Sequence, residues 1–290
     1  MVVQHNLTAM NANRMLGITT SAQAKQTEKL SSGYRINRAA DDAAGLSISE
    51  KMRRQIRGLT QAATNAQDGI SMVQTAEGAL SEVTDMLQRM NELTVKAANG
   101  TYTSTQRQYI ADEINQLTSE IDRIASTTRF NDQILMMGSF QKAASAMTLQ
   151  IGNEKGETMK INISKMTASA LCSGIKASGA KLTGSIKWSS LKTASANAKI
   201  GSYIVTIKTA LEKVASQRSA LGAIQNRLEH TISNLDNVVE NTTSAESRVR
   251  DTDMAKEMVS FSNNQILAQA GQAMLAQANQ VNQGVLSLLG

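Results

Sequence analysis

The chain has 290 residues, no proline and a formal net charge of +6, and only 3% of its residues are aromatic. Proline interrupts helices and aromatic residues fill β-rich cores, so this composition excludes an ordinary β-sandwich or barrel and favours very long helices. The single cysteine, Cys172, excludes an intrachain disulfide.

The two ends of the chain, residues 1–33 and 252–290, each predict a long helix with a thin apolar stripe. The stripes consist of Val3, Leu7 and Met10 in the first helix and of Leu267, Met274, Val281, Val285 and Leu288 in the last. A single helix with so narrow an apolar face is only marginally stable in water. We therefore expect the terminal helices to pair with each other and to contact copies of this chain through these residues.

Between the ends, apolar residues at alternating spacings of four and three predict helical rods. The first rod covers residues 52–93 and the second covers 110–124. Asn99-Gly100 is typical of a helix C-terminus, and the short connection predicts that the two rods pack antiparallel. A third rod is predicted from Tyr203 to Val239.

The middle of the chain changes pattern. Alternating apolar residues on both sides of a Gly/Asn-containing turn predict a β-hairpin near residues 147–163. Residues 164–199 lack a clear period, and we expect a short, variable surface segment. Residues 140–200 carry nine lysines and two acidic residues, which indicates a solvated surface or, alternatively, polyanion binding; without a basic helix or aromatic platform we expect no nucleic-acid partner.

These elements predict a mainly α fold with long antiparallel helical rods or coiled coil, paired terminal helices and a small β-hairpin excursion. We expect two domains. Residues 1–44 and 252–290 form the terminal-helix core domain, and residues 45–251 form the helical rod domain.

Catalytic and cofactor chemistry is not indicated. The two histidines, His5 and His230, lie outside any metal-binding motif, and no phosphate-binding loop occurs, so we expect no enzyme activity, no cofactor and no metal. No apolar run is long enough to cross a membrane, and no secretory signal is recognisable near the N-terminus, so we expect no membrane insertion and a non-Sec export route.

Four stretches, in order, resemble bacterial flagellin. They are Leu30-Ser31-Ser32-Gly33-Tyr34-Arg35-Ile36-Asn37 with the Asp41–Leu46 segment, Leu87–Leu93, Leu221–Leu228, and the C-terminal repeats from Gln265 to Leu289. The resemblance covers about residues 1–163 and 200–290, and the short middle is similar to flagellins with little or no outer variable domain.

The resemblance implies a structural subunit that is secreted and polymerises with itself into the extracellular flagellar filament for motility. It also implies export by the flagellar type III apparatus, a flagellin chaperone at the C-terminal helix, and contacts with filament cap and hook-junction proteins. The terminal helices (a D0-like domain) would line the filament core, and the rods (D1-like) would surround it. Two alternatives are a hook–filament junction protein and a membrane-active coiled-coil protein.

The resemblance further implies recognition by the host Toll-like receptor 5. The positions that match the family's receptor contacts are Gln88, Arg89, Glu92, Leu93 and Glu113. Arg89 and Leu93 are four residues apart and therefore share a helix face, on which we expect an exposed Arg beside an exposed Leu. The same surface is also a candidate for contacts between subunits.

Overall fold

The computed structural model describes residues 6–140, 146–172 and 196–289, without the side-chain surroundings of 172, 196–199 and 281–289. Six helices and four short strands follow one another within these ranges. The helices are α1 (Leu7–Ser32), α2 (Ala43–Ala98), α3 (Ser104–Thr127), α4 (Ala168–Cys172), α5 (Ala196–Arg250) and α6 (Met254–Leu289), and the strands are β1 (Arg129–Phe130), β2 (Gln133–Ile134), β3 (Met147–Gln150) and β4 (Thr158–Ile161). The predicted mainly α fold class is confirmed.

Local sequence signals explain where the long helices begin and end. Asp42 caps α2 by accepting a 2.9 Å hydrogen bond from the backbone N–H of Gly45, and Asp253 caps α6 in the same way through Ala255. Thr103 and Gln106 form a reciprocal capping box at the start of α3. Gly33 ends α1 at φ 75°, a left-handed conformation that favours glycine.

The chain divides into two compact units, residues 1–57 with 239–290 (the terminal unit) and residues 58–238 (the rod unit). The boundary lies further inside the long helices than the predicted limits of 44 and 252. Side-chain contacts explain the difference, because the first turns of α2 and the last turns of α5 belong together: Ser49 Oγ donates a 3.1 Å hydrogen bond to Glu246, and Arg250 pairs with Glu50 at 3.0 Å.

The rod unit buries one main apolar core along the predicted seams. α2, α3 and α5 all contribute, with fully buried residues that include Val73, Leu87, Ile114, Val214 and Leu221. Arg89 on α2 pairs with Glu113 on α3, and Arg107 Nη2 donates to the carbonyl of Asn99, so α2 and α3 run antiparallel as predicted.

Two hairpins cover this core. The predicted hairpin is confirmed as β3–β4, with Met147 opposite Ile161 and with Met159 and Ile161 buried against the helices. The second hairpin, β1–β2, was not predicted from the sequence. Its two-residue turn holds Asn131 at φ 47° and Asp132 at φ 61°, the conformation that matches the twist of paired strands.

The first part of the predicted surface segment 164–199 is instead part of the core. Met166 and Leu171 are buried in it, together with the preceding Ile163. Side chains from α3 and α5 hold this stretch: Asp122 accepts a 2.8 Å hydrogen bond from the N–H of Ala168, and Lys213 Nζ donates to the carbonyls that end α4. The expectation of a surface excursion is therefore wrong up to Leu171, and its residues 173–195 lie outside the described residues.

Among the described helices, none is long and apolar enough to cross a membrane.

Candidate assembly and receptor-binding surfaces

The terminal helices α1 and α6 pack side by side within the terminal unit. Asn6 Nδ2 donates a 2.9 Å hydrogen bond to the carbonyl of Ala278, and Asn264 Nδ2 donates to Gln26 Oε1 at 2.9 Å. Because the start of α1 meets the later part of α6, the two helices are antiparallel. The expected pairing of the terminal helices is thus present within one chain.

This helix pair buries little of its own apolar surface. Ala9 and Ala268 are the buried apolar residues in the described part of α1 and α6, whereas the predicted assembly residues Leu7, Met10, Leu267 and Met274 are exposed. Burying a large aliphatic side chain contributes about 1.5–3 kcal/mol. If α1 pairs only with α6, much of the free energy available from burying these apolar side chains is therefore not gained.

Four of the predicted assembly residues lie wholly or in their side chains outside the described part of the chain. Val3 lies outside the described residues, and so do the side chains of Val281, Val285 and Leu288, although α6 includes these three positions.

Sequence reasoning missed other exposed apolar side chains on the same two helices. These are Met15, Ile18, Met258, Val259 and Ile266. The sequence could have indicated them, because they are further large apolar residues on the same two, mostly polar helices. The apolar surface is broader than the two predicted stripes.

A groove of about 450 Å³ runs between α1 and α6. Its walls include Ala12, Met15, Leu267 and Met274. At Gly271 the helices approach so closely that an added Cβ would lie 3.3 Å from Leu16 Cδ1. Glycine at this position therefore permits close helix packing.

The segment that links α1 to α2 is hydrogen-bonded to the segment that links α5 to α6. Tyr34 and Asp251 form an antiparallel bridge, and the N–H of Arg35 donates a 2.7 Å hydrogen bond to the carbonyl of Arg250. The Arg250 guanidinium lies 4.6 Å from the centroid of the Tyr34 ring and pairs with Glu50. These contacts join the residues that follow the end of α1 to those that precede the start of α6.

On the rod unit, Arg89 organises the predicted receptor-binding residues. Its Nη2 lies 2.9 Å from Glu113 Oε1, and its Nη1 lies 3.2 Å from Glu92 Oε2. The hydrogen bond with Glu113, supported by Glu92, raises the pKa of the Arg89 guanidinium above its ordinary value. All three side chains are exposed, as is Gln88, so they present a preorganised charged surface.

Leu93 does not belong to this surface. It is only 2% exposed and packs in the core, so the expectation of an exposed Leu beside Arg89 is wrong. The reason is its position three residues after Met90, which continues the buried seam of α2. Two exposed apolar residues were missed instead: Val95, three residues after Glu92, and Tyr109, which is 68% exposed and one helical turn before Glu113.

Across the described ranges 6–140, 146–172 and 196–289, no group of three or more His, Cys, Asp or Glu residues could hold a metal ion. Two surfaces stand out among the described residues. One surface is apolar and lies on the terminal helices, and the other is charged and lies on α2 and α3.

Comparison with known families gives two matches. The family model for the bacterial flagellin N-terminal helical region matches residues 3–141, and that for the bacterial flagellin C-terminal helical region matches residues 204–289.

Full-length relatives are similar. The chain is 51% identical over 289 residues to a flagellin of Halalkalibacterium halodurans and 50% identical over 295 residues to the flagellar filament 31.3 kDa core protein of Treponema maltophilum, with 100% of each chain covered. A solved structure of a putative flagellar hook-associated protein from Vibrio parahaemolyticus has a TM-score of 0.60 at 16% identity, covering 73% of this chain and 100% of that one. This last likeness concerns the fold alone.

Proposed function

The chain belongs to the bacterial flagellin family, and from this premise we propose that α1 and α6 form the inner contacts of the filament that it builds. A flagellin is a structural subunit that polymerises with itself, works outside the cell in the flagellum and is not an enzyme. The proposal concerns which surfaces of this chain make the polymer and which of them meet other partners.

The exposed apolar row on α1 and α6 is the observation that carries the assembly proposal. Leu7, Met10, Leu267 and Met274 are each more than half exposed. Covering them with a neighbouring subunit would contribute on the order of 1–2 kcal/mol each, because part of each side chain is already shielded. From the sequence pattern alone, we propose the same assembly role for Val3, Val281, Val285 and Leu288. Repeated contacts that do not close into a ring generate a helical filament.

We extend the proposal to the route by which the subunit reaches the filament. Family membership supports export through the flagellar type III apparatus and addition beneath a filament cap, on a base of hook-junction proteins. The apolar face of α6 needs shielding in the cell before assembly. A chaperone bound to the C-terminal helix would provide that shielding.

Seeded polymerisation tests the assembly proposal. Purified monomer is mixed with filament seeds in ammonium sulfate, which strengthens apolar burial, and the critical concentration is measured by sedimentation. We expect filaments from the full chain and none after deletion of residues 252–290. We expect Leu267→Asn to raise the critical concentration about tenfold, since about 1.4 kcal/mol of burial is lost per subunit. Val205→Asn removes an equally exposed apolar side chain from the rod unit and should leave it unchanged.

Failure of the full chain to form filaments under any seeded condition would overturn the assembly proposal. If Leu267→Asn and Val205→Asn have equal effects on the critical concentration, the chain still polymerises, but α6 is not part of the contacts between subunits.

A second function, recognition by the host Toll-like receptor 5, is favoured by the charged surface around Arg89. The surface contains Gln88, Arg89, Glu92 and Glu113, whose charged members are held in fixed positions by their mutual hydrogen bonds. Preorganised side chains lose less entropy on binding. Leu93 is buried, so it supports this face from the core. The exposed Tyr109 offers the receptor an apolar contact in place of Leu93.

Receptor binding is tested with the monomer and the immobilised receptor ectodomain. We expect Arg89→Ala and Glu113→Ala each to weaken binding about tenfold or more, as loss of an interface anchor does. Arg123→Ala is the matched control, since it removes another exposed Arg–Glu pair from α3. Helix content and melting temperature confirm folding of each variant. Unchanged affinity for both test variants would refute the receptor proposal and leave the assembly proposal standing.

The alternative of a hook–filament junction protein is disfavoured by the full-length relatives. Their identity near 50% extends over the whole chain, whereas the hook-associated structure shares the fold at 16% identity.

A further inference from the structure

Methionine side chains flank the groove between α1 and α6. Met15 lies on the α1 side and Met274 on the α6 side, and both line the same groove, whose lining is mostly apolar, with Leu16 and Leu267. The contacts at this groove are close, as the approach of Leu16 to Gly271 demonstrates. A change of polarity at either sulfur would therefore alter the surface that the paired helices present.

Both methionines are accessible to a dissolved oxidant in the free subunit. Met15 is 52% exposed and Met274 is 65% exposed, whereas Met72, Met90 and Met136 are buried in the rod core. Oxidation of methionine follows exposure of the sulfur. Hydrogen peroxide, a small oxidant, would therefore modify the groove methionines well before those of the core.

The chemistry is a two-electron oxidation of the thioether. The sulfur lone pair attacks one peroxide oxygen, the O–O bond breaks, and a sulfur–oxygen bond forms. The remaining hydroxide takes up the proton from the transferred oxygen and leaves as water. The product, methionine sulfoxide, is polar and accepts hydrogen bonds, which the parent side chain does only weakly.

We propose that Met15 and Met274 are modification sites through which peroxide oxidation blocks polymerisation of this subunit. The inference rests on the proposed assembly function, in which a neighbouring subunit covers the groove. A sulfoxide oxygen covered by apolar side chains would lose its hydrogen bonds to water without replacement, so the oxidised subunit is excluded from the polymer. Subunits already in the polymer are protected, because the same contact covers both sulfurs.

The test uses the full-length wild-type chain, partially oxidised with hydrogen peroxide and then polymerised on seeds. Peptide mass spectrometry measures the sulfoxide fraction at each methionine in the pelleted filaments and in the supernatant. We expect sulfoxide at Met15 and at Met274 to be depleted from filaments about tenfold or more. Met137 is the internal control, since it is 43% exposed but lies in the rod unit, and its sulfoxide should distribute evenly.

A matched pair of variants gives a second reading. Leucine and methionine have similar volumes, so the triple variant Met10→Leu, Met15→Leu, Met274→Leu keeps the apolar surface without an exposed assembly sulfur. Whatever its critical concentration before treatment, we expect the same value after peroxide treatment. Met137→Leu should polymerise when untreated and, like the wild type, should fail to polymerise after peroxide treatment. Treatment of the oxidised wild type with methionine sulfoxide reductase and dithiothreitol should restore assembly, with the two thiols becoming a disulfide and the oxygen leaving as water.

Even distribution of all sulfoxides between filament and supernatant would overturn the proposal, as would a triple leucine variant that is as sensitive to peroxide as the wild type. In both cases the untreated wild type still forms filaments. Failure of the untreated wild type to polymerise would instead refute the assembly function on which the inference rests.

Discussion

Replacement of Gln217 by methionine probes how the rod unit holds the segment that follows β4. Gln217 is buried on α5, and its side-chain amide makes two hydrogen bonds to the backbone of that segment. Its Nε2 donates to the carbonyl of Asn162 at 3.0 Å, and its Oε1 accepts from the N–H of Ser164 at 3.3 Å. Methionine has a similar length and reaches the same place, but it cannot replace either bond.

The expected cost follows from these two bonds. A net contribution of about 0.5–1.5 kcal/mol per hydrogen bond, together with a half-buried Ser164 N–H that loses its partner, gives a destabilisation of about 2 kcal/mol for Gln217→Met. Urea unfolding of the dilute monomer, followed by circular dichroism, should show a midpoint lower by roughly 0.7 M if the slope is about 3 kcal/mol/M. The helix content before unfolding should be unchanged.

Gln225→Met is the matched control. Gln225 also lies on α5, but its amide donates to the exposed side chain of Glu229. Its replacement should change stability by less than about 0.5 kcal/mol. If both variants have the wild-type midpoint, water or a local shift satisfies the backbone of residues 162–164, and the reasoning that Gln217 anchors the segment is refuted.

Three further predictions concern the core, the junction of the terminal unit and acid sensitivity. Ile114→Ala, at a fully buried position of α3, should destabilise the rod unit by about 2–5 kcal/mol in the same urea assay; a loss below about 1 kcal/mol would mean that the α2–α3 core is loosely packed. Arg250→Ala, which removes the Tyr34 and Glu50 contacts, should speed proteolysis of the terminal helices, whereas Arg248→Ala, at an exposed position of the same helix end, should not; equal rates would show that the junction contacts are dispensable. The hydrogen bond from the N–H of Arg38 holds the pKa of Asp41 below its ordinary value. The ionised Asp41 carboxylate therefore adds to the free energy of unfolding above the unfolded-state pKa near 4, and this contribution is lost as pH falls through the folded-state pKa. Wild type should therefore exceed Asp41→Asn in stability at pH 6, and the two should converge near pH 2; a gap that persists at pH 2 would contradict this account.

The long helices were predictable because burial imposes its period on the sequence. Val73 and Leu87 lie at a spacing that places them on one face of α2, Ile114 belongs to the apolar seam of α3, and the structure buries all three. The same rule identifies Leu93 as a core residue once Met90 is included in the seam. The expectation of an exposed Leu93 followed the family's receptor contacts in preference to that periodicity.

Other features depend on contacts between distant parts of the chain, which periodicity does not reveal. The segment from Ile163 to Leu171 has no periodic apolar pattern in the sequence, and Asp122, Lys213 and Gln217 hold it in the core from other elements. The β1–β2 strands contain two residues each, too few for an alternating pattern, and Asn131-Asp132 was the single local signal.

The candidate surfaces were predicted to different extents. The thin apolar stripes on the terminal helices were evident from their helical spacing, and their described members Leu7, Met10, Leu267 and Met274 are exposed. The charged cluster of Arg89 with Glu92 and Glu113 needed the α2–α3 hairpin, which the short connection indicated. Tyr109 was not predicted as part of this surface, because a single exposed aromatic residue carries no periodic signal.

Electron cryo-microscopy of the assembled filament tests the central claim most directly. The account predicts a helical polymer in which α1 and α6 lie against the same helices of neighbouring subunits and in which Leu7, Met10, Leu267 and Met274 are buried. Filaments in which these four side chains face solvent, with the subunits joined through the rod unit alone, would contradict it.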